Sequence, residues 1–230
     1  MLVSHRHKFI YTKTVKTGGS SVESYFERFC FPENEYVIHR GGKEYISDTG
    51  IVGYRGVKRR PINCKYWNHM PAKKIRRKLG KDIWDEYFKF CVLRNPFNKV
   101  ISAFYFYKHL NSINIDLNNM EKERMEFENW LSDTSHLPID REAYTLRSIG
   151  GIDRNICVDD VIRYESMKID LERICNRLDI PWDETMLPYL KSGITPKNIK
   201  PEIIFTDKSR KIVETAFKYE LDYFRYSFPD

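Results

Sequence analysis

The feature that most constrains this chain is a short β-forming run, Lys8 to Thr12 (KFIYT), that leads into Lys16-Thr17-Gly18-Gly19-Ser20-Ser21 and then into an apolar stripe. Val22, Tyr25, Phe26 and Phe29 recur at i, i+3, i+4 and i+7, the spacing of one helix face. Ser20 and Glu23 have the spacing of a capping box, so a helix is expected to start there. Strand, glycine turn and helix in that order form the opening unit of a phosphate-binding α/β fold. Gly18 and Gly19 let backbone N–H groups converge on an anion, the helix dipole favours negative charge at the same place, and Lys16 adds a cation at the rim. Without chemistry, the same turn is a capped strand-to-helix connection with a solvated lysine. The pattern differs from the GxxxxGK[ST] loop of nucleotide kinases, because the lysine precedes the glycines and the Mg²⁺-binding Ser/Thr would be misplaced.

A second constellation follows the run Phe88 to Arg94 (FKFCVLR), which has the length and apolarity of a buried central strand. Asn95-Pro96 ends it, and the next helix carries Phe97, Val100, Ile101, Phe104 and Lys108 on one face and Asn98, Ser102, Tyr105 and His109 on another. In open α/β sheets ligands lie beyond the carboxyl ends of strands, which is the position of Arg94, and about two helical turns carry Ser102 alongside the same opening. A guanidinium and a hydroxyl together grip a dianionic phosphate. The plainer readings are a structural ion pair for Arg94 and a surface hydroxyl for Ser102.

The remaining signals are coarser. Pro71 is placed to start a helix through Leu79 that Gly80 ends. Helical segments are expected at Glu121–Leu131, Arg141–Ser148 and Ser166–Leu178, the last with Ile169, Ile174, Cys175 and Leu178 inward. Asp160–Arg163 reads as a strand, Phe31 to Asn63 as loops or a hairpin, Asp179–Pro201 as irregular, and about Asp207 to Phe224 as a terminal helix, with a frayed N-terminus holding His5 and His7. The expected architecture is α/β: a central parallel sheet with a P-loop-like phosphate-binding loop, flanked by helices, in one domain spanning 1–230.

Composition narrows the function classes. A hydrophobic fraction of 41% excludes disorder. The net charge of +7 is concentrated: Arg55 to Lys81 holds eleven Lys or Arg and no acid, leaving the rest of the chain at −4. Such a stretch suits an anionic partner (phosphate, sulfate, uronic acid, nucleic acid or lipid headgroup) or is a solvated helix face. Five cysteines without CxxC spacing signal neither a disulfide framework nor a zinc site and fit a reducing compartment. No apolar run approaches the ~20 residues that span a bilayer, and the opening residues lack a signal-peptide core, so a soluble, cytoplasmic protein is expected.

KTGGSS after a first strand, LRNP with a serine eight residues beyond its arginine, and RYESM before a later helix together resemble the sulfotransferases that use 3′-phosphoadenosine 5′-phosphosulfate (PAPS), in the carbohydrate branch called sulfotransferase family 2. KYWNHMPA, WDEYFKF and a final LDYFRYSF extend the similarity in order across most of the chain. The resemblance implies that Lys16, Thr17, Gly18, Gly19, Ser20 and Ser21 bind the 5′-phosphosulfate, with Lys16 at the bridging oxygen. It implies that Arg94 and Ser102 bind the 3′-phosphate, that Tyr164 lies beside the adenine, and that His69 is the general base, with His39 or a glutamate as rival. Adenosine 3′,5′-bisphosphate would be the product, no metal would be required, and the acceptor would be a hydroxyl of a carbohydrate or glycoconjugate, possibly anionic; nucleic acid is not expected as a partner. Two departures stand out: Val15 replaces the usual proline before the lysine, and Lys191 to Lys200 shows no clear counterpart of the family's remaining nucleotide loop. The alternatives are an ATP-dependent kinase of related fold and a non-catalytic polyanion-binding module.

Overall fold

β-strands in the first twelve residues, buried on both faces, begin the sheet. Leu2, Phe9 and Tyr11 belong to one core cluster and Val3 and Ile10 to another, as a strand period of two requires. The computed structural model describes residues 1–35, 42–56, 59–147, 154–190 and 193–229. In chain order its elements are β1 (Leu2–Ser4), β2 (Phe9–Thr12), α1 (Gly19–Phe26), β3 (Tyr45–Ile46), β4 (Gly50–Val52), α2 (Ala72–Leu79), α3 (Lys81–Glu86), β5 (Phe88–Leu93) and α4 (Pro96–Leu110). There follow α5 (Met120–Ser132), β6 (Thr145–Arg147), β7 (Arg154–Ile156), β8 (Asp160–Arg163), α6 (Met167–Arg177), α7 (Pro201–Ile204), α8 (Asp207–Ala216) and α9 (Lys218–Phe224). The chain divides into two compact units, Met1–Leu93 with Asp140–Leu190, and Arg94–Ile139 with Lys191–Asp230.

The first unit is built on a six-stranded sheet in the order β3-β4-β1-β2-β5-β8. The sheet is mixed, which corrects the expectation of a parallel one. Only β2–β5 and β5–β8 pair in parallel, whereas β1–β2, β1–β4 and β3–β4 are antiparallel. The physical reason is loop length: four residues join β1 to β2, and a parallel connection needs a crossover of a dozen or more. One face of the sheet packs on Val22, Tyr25 and Phe26 of α1 and Leu171, Ile174 and Cys175 of α6. The other packs on Ala72 and Ile75 of α2, Trp84 of α3, and Tyr66 and Met70.

Several local expectations hold and several change. Pro71 caps α2, and Gly80 ends it at φ 89°, a left-handed turn that suits glycine. The N-terminus is not frayed, since Met1 to Ser4 are wholly buried. The helix expected over Arg141–Ser148 gives way, in its described part, to a short 3₁₀ turn, Arg141–Ala143, and then β6, which pairs antiparallel with β7. Ile169 is 72% exposed, and Leu171 takes the inward position in α6. The terminal helix is two helices, parted at Phe217.

The second unit is helical. Phe97, Val100, Phe104, Phe127, Leu131 and Val213 anchor its core, contributed by α4, α5 and α8. Tyr105, expected on the outer face of α4, is buried with them, and its hydroxyl lies 3.4 Å from Glu123 Oε2. Lys108 keeps its place on the apolar face because its charge is met there. Its Nζ donates to Glu123 Oε1 at 2.6 Å and to Glu126 Oε2 at 2.8 Å. Among the described residues no helix is long and apolar enough to cross a membrane.

Removing one partner of a buried ion pair leaves the other charge desolvated, at a cost of about 3–5 kcal/mol. Glu123→Ala is therefore expected to lower unfolding stability by that amount in a urea titration. Lys81→Ala, which breaks an exposed pair with Asp85, should leave the unfolding midpoint nearly unchanged.

Candidate active site

The chain leaves β2 at Thr12 and returns to regular structure at Gly19, and the intervening turn is tied down at several points. The Thr14 hydroxyl donates to the carbonyl of Val92 on the neighbouring β5 and lies 2.8 Å from Thr17 Oγ1. The Val15 N–H donates to the Asp140 carboxylate, and the Tyr11 hydroxyl donates to the Gly19 carbonyl at 3.2 Å. Thr17 is wholly buried, and its side chain serves the loop's own support through the Thr14 hydroxyl. Ser21 is similar, for its Oγ accepts the Leu190 N–H at 3.1 Å. Lys16 is partly exposed at φ 60°, and Gly18, at φ 72°, caps α1.

Gly18 is needed for space as well as for conformation. A Cβ there would fall 2.9 Å from Met167 Cε and 3.0 Å from Tyr164 Cε2. The ring of Tyr164, itself 40% exposed, thus lies against the glycine turn, and the structure brings together two of the three motifs picked out in the sequence.

The capping box does not form. The helix begins a residue earlier than expected, and Glu23 turns inward, where it is 1% exposed. Its carboxylate accepts from Lys13 Nζ at 2.6 Å, the Met1 ammonium at 3.1 Å and Arg55 Nη1 at 3.4 Å. Burial alone would raise its pKa, but the Met1 ammonium, Lys13 and Arg55 overcome that and lower it to about 2. Lys13 Nζ also reaches Ser20 Oγ at 3.3 Å, which links this buried charge cluster to the predicted phosphate loop. Arg55 accordingly belongs to the interior rather than to the basic surface, pairing with Glu27 as well.

Neither Lys13 nor Glu23 was singled out as a site residue from the sequence. A signal did exist: Gly19, Val22, Glu23 and Phe26 fall on one helix face, so a glutamate shared the buried stripe.

His69 stands two residues before the cap of α2, at φ 55°. Its Nδ1 lies 3.2 Å from the Lys13 carbonyl oxygen. A carbonyl can only accept, so Nδ1 carries the proton and Nε2 presents its lone pair. The residue is exposed overall, yet its ring sits among protein atoms. Burial, helped by the charges of Lys13 and the Met1 ammonium, lowers its pKa to about 4. The imidazole is neutral at pH 7 and fit to accept a proton. His39 lies outside the described residues, as do residues 191 and 192 of the Lys191–Lys200 stretch.

Arg94 and Ser102 lie in the second unit. Arg94 directly follows β5, and Asn95 caps α4 by accepting from the Phe97 N–H. Both are partly exposed, and Ser102 shares the outward side of α4 with Asn98, Phe106 and His109 rather than facing the core. Among the described residues no group of three or more His, Cys, Asp or Glu is arranged to hold a metal ion.

The glycine turn, the Tyr164 ring packed on it and the His69 ring held by the Lys13 carbonyl all belong to the first unit. Residues 1–227 match the model of the sulfotransferase family, sulfotransferase family 2, and the chain belongs to it. It is also 30% identical over 115 residues to an uncharacterized protein of Archaeoglobus fulgidus, a match that covers 49% of this chain and 84% of that one. No solved structure matches it significantly. Membership supports sulfuryl transfer in general.

The charge cluster under the loop yields a stability prediction. Glu23→Gln removes the anion that faces Lys13 and Arg55 and should cost about 3–5 kcal/mol in denaturant unfolding. Acid should act in the same way. Because the folded pKa is depressed to about 2 from 4.5, the stability this group contributes is present above pH 4.5 and is lost as pH falls from there towards 2. The Gln variant should lose that part of the wild-type acid dependence.

Proposed function

We propose that the protein transfers a sulfuryl group from PAPS to a hydroxyl of a carbohydrate or glycoconjugate. The observation that supports this best is the tethered Lys13–Gly19 turn, which sets Lys16 just ahead of the N-terminus of α1, where N–H groups and the helix dipole favour an anion. The reading assigns the 5′-phosphosulfate to Lys16, the backbone of Thr17, Gly18 and Gly19, and Ser20, with Ser21 in a supporting role. It assigns the 3′-phosphate to Arg94 and Ser102, and one flank of the adenine to Tyr164. The turn is P-loop-like in purpose, with its lysine ahead of the glycines.

The chemistry is an in-line displacement. His69 Nε2 takes the proton of the acceptor hydroxyl, the acceptor oxygen attacks sulfur, and the bond from sulfur to the 5′-phosphate oxygen breaks. Charge then builds on that leaving oxygen, where Lys16 and the N–H groups act most strongly, and adenosine 3′,5′-bisphosphate departs. The Lys13 carbonyl holds the base in its working tautomer throughout.

Binding of adenosine 3′,5′-bisphosphate by calorimetry is the direct test, since it separates a PAPS enzyme from a kinase. Charge-assisted contacts are worth roughly 1.5–3 kcal/mol, or about one to two decades of affinity. Arg94→Ala should therefore weaken adenosine 3′,5′-bisphosphate by about ten- to hundred-fold and leave adenosine 5′-monophosphate nearly unchanged. Equal losses for both nucleotides would move Arg94 out of the 3′-phosphate site. Lys16→Ala should lower turnover by orders of magnitude with the melting temperature preserved.

The base has its own signature. With His69 lowered to about 4, kcat/KM should stay level as pH falls through 6.5 and decline only near 4. His69→Ala should abolish transfer while keeping nucleotide affinity. A wild-type acidic limb near 6.5 would transfer the role to another group.

A further inference from the structure

The basic stretch separates into two parts. Arg55 is internal, but Arg59, Arg60, Lys65, Lys73, Lys74, Arg77 and Lys78 are all exposed. The loop and helix that carry them adjoin at Trp67. The Arg60 guanidinium carbon lies 3.9 Å from the centroid of the Trp67 ring, and Lys74 Nζ lies 5.5 Å from the same centroid, so the 59–67 loop and α2 meet on that indole. The inner side of α2, Ala72 and Ile75, is fully buried, which commits its cations to the outside. Two acids near this face are engaged: the Glu44 carboxylate accepts the backbone N–H groups of Lys65 and Tyr66, and Asp85 pairs with Lys81 at 2.7 Å.

At the tip of the loop stands Ile62, 101% exposed, in a turn closed by the Cys64 N–H donating to the Pro61 carbonyl at 3.1 Å. The side chain stands clear of the protein, with Arg60 before it and Lys65 after it. A purely ionic partner such as a glycan polyanion or a nucleic acid has use for the cations and none for an aliphatic tip. A bilayer surface has use for both, taking the tip below the headgroups while the cations meet anionic lipid.

We propose that this face docks the protein on an anionic membrane surface, with Ile62 entering the headgroup layer and α2 lying along it. The proposal does not depend on sulfuryl transfer. Each cation near an anionic leaflet is worth roughly five-fold in partitioning, and burial of one isoleucine roughly ten- to hundred-fold. Binding should also weaken steeply with added salt.

Sedimentation of the full chain with vesicles is the test, using phosphatidylcholine alone or with about 30% phosphatidylglycerol. Binding is expected only to the mixed vesicles. Ile62→Asn should weaken it ten-fold or more, and Lys73→Gln with Arg77→Gln about 25-fold, all with unchanged melting temperatures. Retention on a heparin column should fall for the charge variant but not for Ile62→Asn. Failure of the wild type to bind the mixed vesicles would overturn the proposal. So would vesicle binding that ignores Ile62 and tracks heparin retention, because the face would then be a general polyanion grip. Turnover on a water-soluble acceptor, measured in parallel, should be the same for Ile62→Asn and wild type, which keeps this outcome separate from that of the catalytic reading.

Discussion

A carboxylate sealed inside the first unit organises what surrounds it. Glu23 cannot be left as an isolated anion in a medium that solvates it poorly, so cations must come to it. They come from separate parts of the chain: Lys13 from the turn after β2, Arg55 from beyond β4. Each arrival fixes a backbone. Lys13 sets the start of the glycine turn and offers its carbonyl to His69, and Arg55 draws in the segment that runs towards the basic loop. Replacing such a cluster with apolar side chains can be neutral for stability, but apolar side chains would not hold Lys13 so that its ammonium touches Ser20 while its carbonyl meets an imidazole.

The same cluster marks the limit of what could be read in the sequence. Apolar spacing located α1, α2, α4 and α6, and run length and composition located β2, β5, β8 and the polar α5. Such signals failed where tertiary context decides. Glu23 has the right spacing from Ser20 for a local cap, and a nearby hydrogen bond is the natural reading until three positive charges in the interior compete for the carboxylate. β1 is too short to show a period, and β6 shows its strand character only when paired with β7. Lys108 was legible on the apolar face of α4, but its partners Glu123 and Glu126 lie in another helix, and charge pairing across helices leaves no trace in the spacing of either.

For the site, legibility followed backbone requirements. Gly18 was readable because a left-handed, crowded turn leaves few alternatives to glycine. Lys16 and His69 are also left-handed, at φ 60° and 55°, and neither is glycine. Side chains in that region cost of order 1–3 kcal/mol each and persist only where surroundings over-determine them. Here those surroundings are visible: Thr14, Val15 and Tyr11 tether the turn that contains Lys16, and the Lys13 carbonyl meets the ring of His69.

The mixed character of the sheet also separates the proposed site residues from their support. Its three parallel strands end together, since the register sets Thr12 opposite Cys91 and Leu93 opposite Arg163. The chain continues from those ends into Lys13–Gly18, Arg94 and Tyr164, so each parallel strand delivers a residue that the sequence had already marked. The antiparallel strands β1, β3 and β4 carry none of them. Parallel strands point their carboxyl ends the same way, so loops distant in sequence leave from one edge, where ligands of open α/β sheets bind. Antiparallel strands alternate and cannot gather loops in this manner. On the proposed assignment, the parallel half is therefore the part of the sheet whose order the chemistry would depend on, while the antiparallel half buries Val3 and Ile51 against the cluster that holds Met70, the residue next to His69.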